Sequence, residues 1–192
     1  MQKIIKCYII IKKYKKLLMD IIHVNDKLSF KSKSFLNTLS NYVEIPFYYF
    51  GSILRPDYIP GSSDIDIDIF TENEYSTVFK LLNYLKMSRK DAKNVVWVLP
   101  DNTTLHGFKI NHQLDSENIF EYSIYNTRFK DKILAEHRGK IALPIYTTIC
   151  LQILKILFYK LHLISNKTYS ETKRYILSNS IGQTNESKFL VY

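Results

Sequence analysis

Apolar residues recur at helical spacing from the start of the chain: Ile4, Ile5, Tyr8, Ile11, Leu17, Leu18, Ile21 and Ile22 are interleaved with lysines, which predicts an amphipathic helix over residues 3–23. A second helix is expected over residues 30–42. The aromatic run Ile45-Pro46-Phe47-Tyr48-Tyr49-Phe50 ends at Gly51 and reads as a strand entering a turn. Pro56, Pro60 and Gly61 keep the following dozen residues irregular. From Asp64 to Phe70 the period drops to two, with Ile65, Ile67 and Ile69 on one face and Asp64, Asp66 and Asp68 on the other. Helical spacing returns over residues 74–87, where Val78, Leu81, Leu82 and Leu85 form a stripe. Extended segments follow over residues 94–99, 105–114 and 118–125. From Arg128 the pattern is helical, most clearly over residues 149–163, and the polar stretch from Ser178 is expected to fray.

This order predicts an α/β (α+β) fold: a mixed sheet of about five strands, helices packed against one side, a reaction centre on the open side, and helical segments at both ends. With 192 residues, 46% of them hydrophobic, the chain fills one core well and two poorly. It divides into a basic helical segment (1–44), a core (45–142) and a helical segment (143–192) within one compact domain. No apolar run reaches the length of a membrane span, and Lys6, Lys12 and Lys13 interrupt the most apolar N-terminal stretch, arguing against a cleavable signal. Cys7 and Cys150 have no partner spacing, which fits neither a disulfide framework nor a zinc site and points to a reducing, cytoplasmic compartment.

The net charge of +9 is unevenly spread. Residues 1–33 carry nine lysines against Asp20 and Asp26, whereas the rest of the chain is nearly balanced. A concentrated positive field attracts phosphate polyanions through counterion release, so a nucleic acid held by the basic N-terminal helix is one expected partner. The same lysines equally suit the solvated face of an amphipathic helix.

Three acids on one strand face repel one another unless a cation neutralises them. Mg²⁺ does this with carboxylate oxygens and substrate phosphates together, and carboxylates at i and i+2, about 7 Å apart at their α-carbons, can serve two neighbouring metals. Gly51-Ser52 lies upstream, where a glycine admits close approach of backbone to ligand and the serine hydroxyl can donate to phosphate. Eleven residues, 53–63, separate Ser52 from Asp64.

In these residues, FGSILRPDYIPGSSDIDIDIF, the chain resembles the nucleotidyltransferase superfamily that includes DNA polymerase beta, poly(A) and CCA-adding polymerases and small bacterial transferases. The resemblance implies that Asp64 and Asp66 bind Mg²⁺, or Mn²⁺ in its place, and that Gly51 and Ser52 hold the triphosphate. Asp66/Asp68 is the alternative frame for the pair. It also implies a third carboxylate from a later strand that binds the catalytic metal and helps deprotonate the acceptor hydroxyl, and Glu121 in Phe120-Glu121-Tyr122-Ser123-Ile124 fits that place, with Asp115 as the alternative. Leu143-Pro144 followed by Lys155 is similar to a feature of small family members in which such a lysine reaches the triphosphate; a solvated helix lysine is the alternative.

The function implied is transfer of a nucleoside monophosphate from a nucleoside triphosphate, ATP among the expected donors, to an acceptor hydroxyl with release of pyrophosphate. The rival is a catalytically inactive module of the same fold that binds nucleic acid or protein. The acceptor is left open. His23, His106, His112, His137 and His162 show no metal-binding spacing and read as ordinary histidines.

Overall fold

Residues 24, 26–181 and 188–192 are described by a computed structural model, so the helix expected over residues 3–23 and its lysines lie outside the described residues. Helix α1 (Phe30–Val43) begins where the Ser29 side chain accepts from the Ser32 N–H and ends where Glu44 turns left-handed, one residue past the expected limit. Strands β1 (Phe47–Phe50) and β2 (Ile65–Thr71) pair antiparallel, and Asp64 falls just before the strand it was expected to open. Helix α2 (Glu74–Leu85) is capped by Asn73 and stopped at a left-handed Lys86. Strands β3 (Ala92–Val98), β4 (Thr104–Gln113) and β5 (Ile119–Asn126) follow, then helices α3 (Lys130–Gly139), α4 (Ile145–Lys155) and α5 (Asn166–Ile181) and strand β6 (Lys188–Val191).

The six described strands form one mixed sheet in the order β1-β2-β5-β4-β3-β6, in which only β2 and β5 run parallel. The period of two along β2 decides which side is the core. Ile65, Ile67 and Ile69 join Ile110, Phe120, Tyr122 and Ile124 beneath Leu36 and Leu39 of α1 and Val78, Leu81 and Leu82 of α2. Each such side chain contributes about 1.5–3 kcal/mol when fully buried. The opposite face has a smaller cluster at one end, where Phe70, Trp97, Leu105 and Tyr125 pack on Ile133 of α3. This helix therefore adds cover on the second face, and Asp66 and Glu121 lie on the part of that face beyond its apolar cluster.

Two C-terminal features differ from the pattern read in the sequence. Helix α4 does not run on to Leu163: after Lys155 it widens into a π-turn over Ile156–Lys160, which releases the chain toward α5. The described residues after Ser178 are also regular. The α5 helix persists to Ile181, and β6 adds to the edge of β3, with Asn94 and Tyr192 exchanging backbone hydrogen bonds of 2.9 and 3.0 Å. That pairing uses main-chain groups left open by an edge strand, which side-chain pattern does not report. No helix among the described residues is long and apolar enough to cross a membrane.

Candidate active site

The parallel register of β2 and β5 sets Asp66 directly beside Glu121 on the face away from the larger core. Asp64 stands at the solvent-exposed mouth, one residue before β2. The chain reaches them from β1 through a tight 3-10 turn over Gly51–Leu54, and Gly51 takes a left-handed φ of 72°. A Cβ there would collide with Asp66 Oδ2, so glycine is needed both for the backbone angle and for the carboxylate that lies against it. Ser52 is buried behind this turn.

Among the described residues, neither Asp64 nor Asp66 receives a hydrogen bond or ion pair. Burial, then the charge of Glu121, pushes Asp66 up to about 7, with Asp64 adding to the rise and Lys173 and Lys109 opposing it. The same two causes raise Asp64 above the usual carboxylate range, against Lys173, Lys109 and Lys155. Glu121 does have a partner: Lys109 Nζ of β4 lies 2.6 Å from its Oε2. Asp68 is fully buried, so it does not belong to the wet face the alternation suggested. Its Oδ2 is 2.9 Å from His137 Nε2, and His137 stacks on Phe50. Burial raises Asp68, with His137 working the other way.

Lys155 is 2% exposed, and its ammonium donates to the Asp57 carbonyl (2.7 Å) and to Ser63 Oγ (3.1 Å) and lies 3.1 Å from Asp57 Oδ2. An ammonium has three donors, so all three are engaged and none is left for a phosphate. Arg55 grips the same Asp57 carboxylate, donating from Nε at 2.7 Å and from Nη2 at 3.1 Å. This buried network fixes the loop between Gly51 and Asp64 against α4, where Gln152 also donates to the Pro56 carbonyl. Asp115 is likewise engaged. It is bound to Lys31 and to the turn at Glu117 and Asn118 near the start of α1, and these bonds pull its carboxyl down to about 2. The fold thus brings Gly51 against Asp66 and Asp66 beside Glu121, with Asp64 next to the strand and Ser52 in the adjoining turn, while Lys155 is paired with Asp57 and Asp115 with Lys31.

A cleft of about 550 Å³ opens beside Asp64, walled by Tyr159 of the π-turn and by Tyr169, Lys173 and Arg174 of α5. The Lys173 charge offsets both Asp64 and Asp66. Sequence reading passed over Lys109, Lys173 and Arg174. Lys109 becomes visible only once strand register is known, and α5 is so polar that two more cations on it stand out by nothing. Among the described residues no three His, Cys, Asp or Glu side chains converge into a ready-made metal cage. Two unpartnered carboxylates nevertheless fit Mg²⁺, which is commonly held by one or two carboxylates with the substrate's phosphates.

Comparison with protein families gives a match to the model described as a nucleotidyltransferase domain over residues 31–126, half of the chain. The matched stretch runs from α1 to the end of β5 and contains Gly51, Ser52, Asp64, Asp66 and Glu121, while Lys155 and Lys173 fall beyond it. No curated protein and no solved structure matches.

Proposed function

The chain belongs to the nucleotidyltransferase domain family, and we propose that it transfers a nucleoside monophosphate from a nucleoside triphosphate to an acceptor hydroxyl, releasing pyrophosphate, with Mg²⁺ or Mn²⁺ held by Asp64 and Asp66. The observation that carries this reading is the pair of carboxylates beside Glu121 that have no partner among the described residues, with Gly51 shaped to admit one of them. The cation supplies charge neutralisation at the phosphates and acidifies the attacking hydroxyl. Everything else falls to the chain's own groups. The Gly51-Ser52 turn offers backbone N–H groups and a hydroxyl to the β- and γ-phosphates, and Lys173 and Arg174 face them from across the cleft. Glu121 orients the acceptor and takes its proton as the acceptor oxygen bonds to the α-phosphorus; the bond from that phosphorus to the bridging oxygen breaks, and the electron pair leaves with pyrophosphate. Nucleic acid is one candidate acceptor, through the basic N-terminal segment.

The direct test is incubation with each of four labelled triphosphates, Mg²⁺ or Mn²⁺, and a mixed pool of RNA and protein. Label should appear on one acceptor class and vanish with Asp66→Asn. Failure to label anything, by folded protein that binds no Mn²⁺, would leave the rival reading of an inactive binding module. The Lys109–Glu121 pair is the observation that favours that rival.

A further inference from the structure

Four carboxylates crowd one region of the sheet, and they are neutralised unequally. Asp68 has His137 at 2.9 Å and Glu121 has Lys109 at 2.6 Å, whereas Asp64 and Asp66 have no cation in contact among the described residues. A dication entering at Asp66 meets Glu121 on the adjacent strand position and finds its carboxylate already taken by an ammonium. The two cations repel, and the doubly charged one has the greater hold on a shared carboxylate. Lys109 also has a place to retreat to. Its ammonium lies 5.6 Å from the centroid of the Phe189 ring on β6, where the π face attracts a cation. On that same side Lys93 stands directly opposite on β3, and its charge keeps the Lys109 ammonium at Glu121 while no cation is bound.

We propose that Lys109 is a positioning residue that withholds Glu121 from the metal centre until a first cation is bound at Asp64 and Asp66, making the third carboxylate a conditional ligand. This rests on the reading of the site given above. The free protein then presents one strong cation site and one weak one, and Glu121 becomes able to take a cation or the acceptor's proton only in the loaded complex.

Mn²⁺ titration of the full chain, followed by the electron paramagnetic resonance of the unbound ion, reads this without any turnover. Wild type should show one tighter and one weaker site. Lys109→Met should tighten the weaker site by about 5-fold, the effect of removing a competing, partly exposed ion pair, and the tighter site, where its charge acts only from a distance, by less. Lys109→Arg should restore the wild-type isotherm, and adding Glu121→Gln to Lys109→Met should abolish the gain. Should Lys109→Met not fold, Lys109→Gln makes the same comparison. An isotherm for either neutral variant that superimposes on wild type overturns the role of Lys109 and leaves the metal centre standing. No Mn²⁺ binding by wild type overturns both.

Discussion

Asp57 and Asp66 lie nine residues apart on the two sides of one loop, and their carboxylates live under opposite regimes. Asp57 is wholly buried, but Arg55 and Lys155 reach it, and with burial outweighed its carboxyl is held below the usual range. Asp66 is half-buried, faces another acid and, among the described residues, receives no contact from a cation, and it is driven up to about 7. The first cluster is complete without any visitor, and on the proposed reading the second is completed by one. A crowded charge that the chain could have neutralised, as it did nine residues away, is what the proposed cation site would require.

The comparison is broken most severely by Asp66→Asn. Transfer should fall by a factor of about 10³ or more, because the change removes a ligand and the charge that retains it, while thermal stability in the absence of metal should hold or rise. Parallel rate and melting measurements check this; a drop in both would mean that Asp66 is structural like Asp57. The reverse pattern is expected at Lys155→Met. Removing one partner of a buried ion pair costs about 3 kcal/mol, which lowers the melting temperature of a chain this size by about 10 °C, with substrate affinity per folded molecule little changed. A selective rise in the Michaelis constant for triphosphate at unchanged stability would return Lys155 to the phosphates.

Gly51→Ala sharpens the contrast from the backbone side. The new methyl group meets Asp66 Oδ2 and the left-handed φ is strained, so about 1–3 kcal/mol of stability should be lost, together with Mn²⁺ affinity in the same titration. Normal cation binding would show that Asp66 need not rest against the turn.

The smallest effect is the dependence on pH. A carboxyl raised in the folded state contributes stability that is fully present below its ordinary value near 4 and is lost as pH rises through about 7, so chelator-treated protein should melt lower at pH 8 than at pH 5 by about 5 °C. Asp57, depressed on folding, works in the other direction: its contribution is present above pH 4 and is lost as pH falls through its lowered value. Asp66→Asn should flatten the neutral limb alone, and saturating Mn²⁺ should do the same in wild type. A neutral limb that survives Asp66→Asn would assign the slope elsewhere.

Much of this was readable in the sequence for a physical reason. The alternation of Ile65, Ile67 and Ile69 with acids states both a strand and its buried face, and Gly51-Ser52 at a fixed distance identifies the turn that serves it. The periodic stripe of Val78, Leu81, Leu82 and Leu85 likewise placed α2. What escaped depends on pairing between distant segments. Lys109 acts because β4 lies beside β5 in one register, and Lys155 faces Asp57 across the chain, so neither role is a property of its own neighbourhood. Asp68 looked like a third wet acid, yet α3 brings His137 over it. The strand at Lys188–Val191 is held through main-chain hydrogen bonds, to which its polar flanks give no clue.

The site rests on the sheet's one parallel pair, and that pairing has a consequence for the order of events in folding. Asp66 and Glu121 become neighbours only after the chain between them has made α2, β3 and β4, because a parallel connection has to cross over and return. Loop closure of that length belongs to the slow part of assembly. A second cation, which on the reading above needs Glu121 as well as Asp66, finds no binding site in early, partly folded chains. It should therefore leave the refolding rate almost untouched and slow unfolding instead, acting as a clasp fastened after the garment is closed.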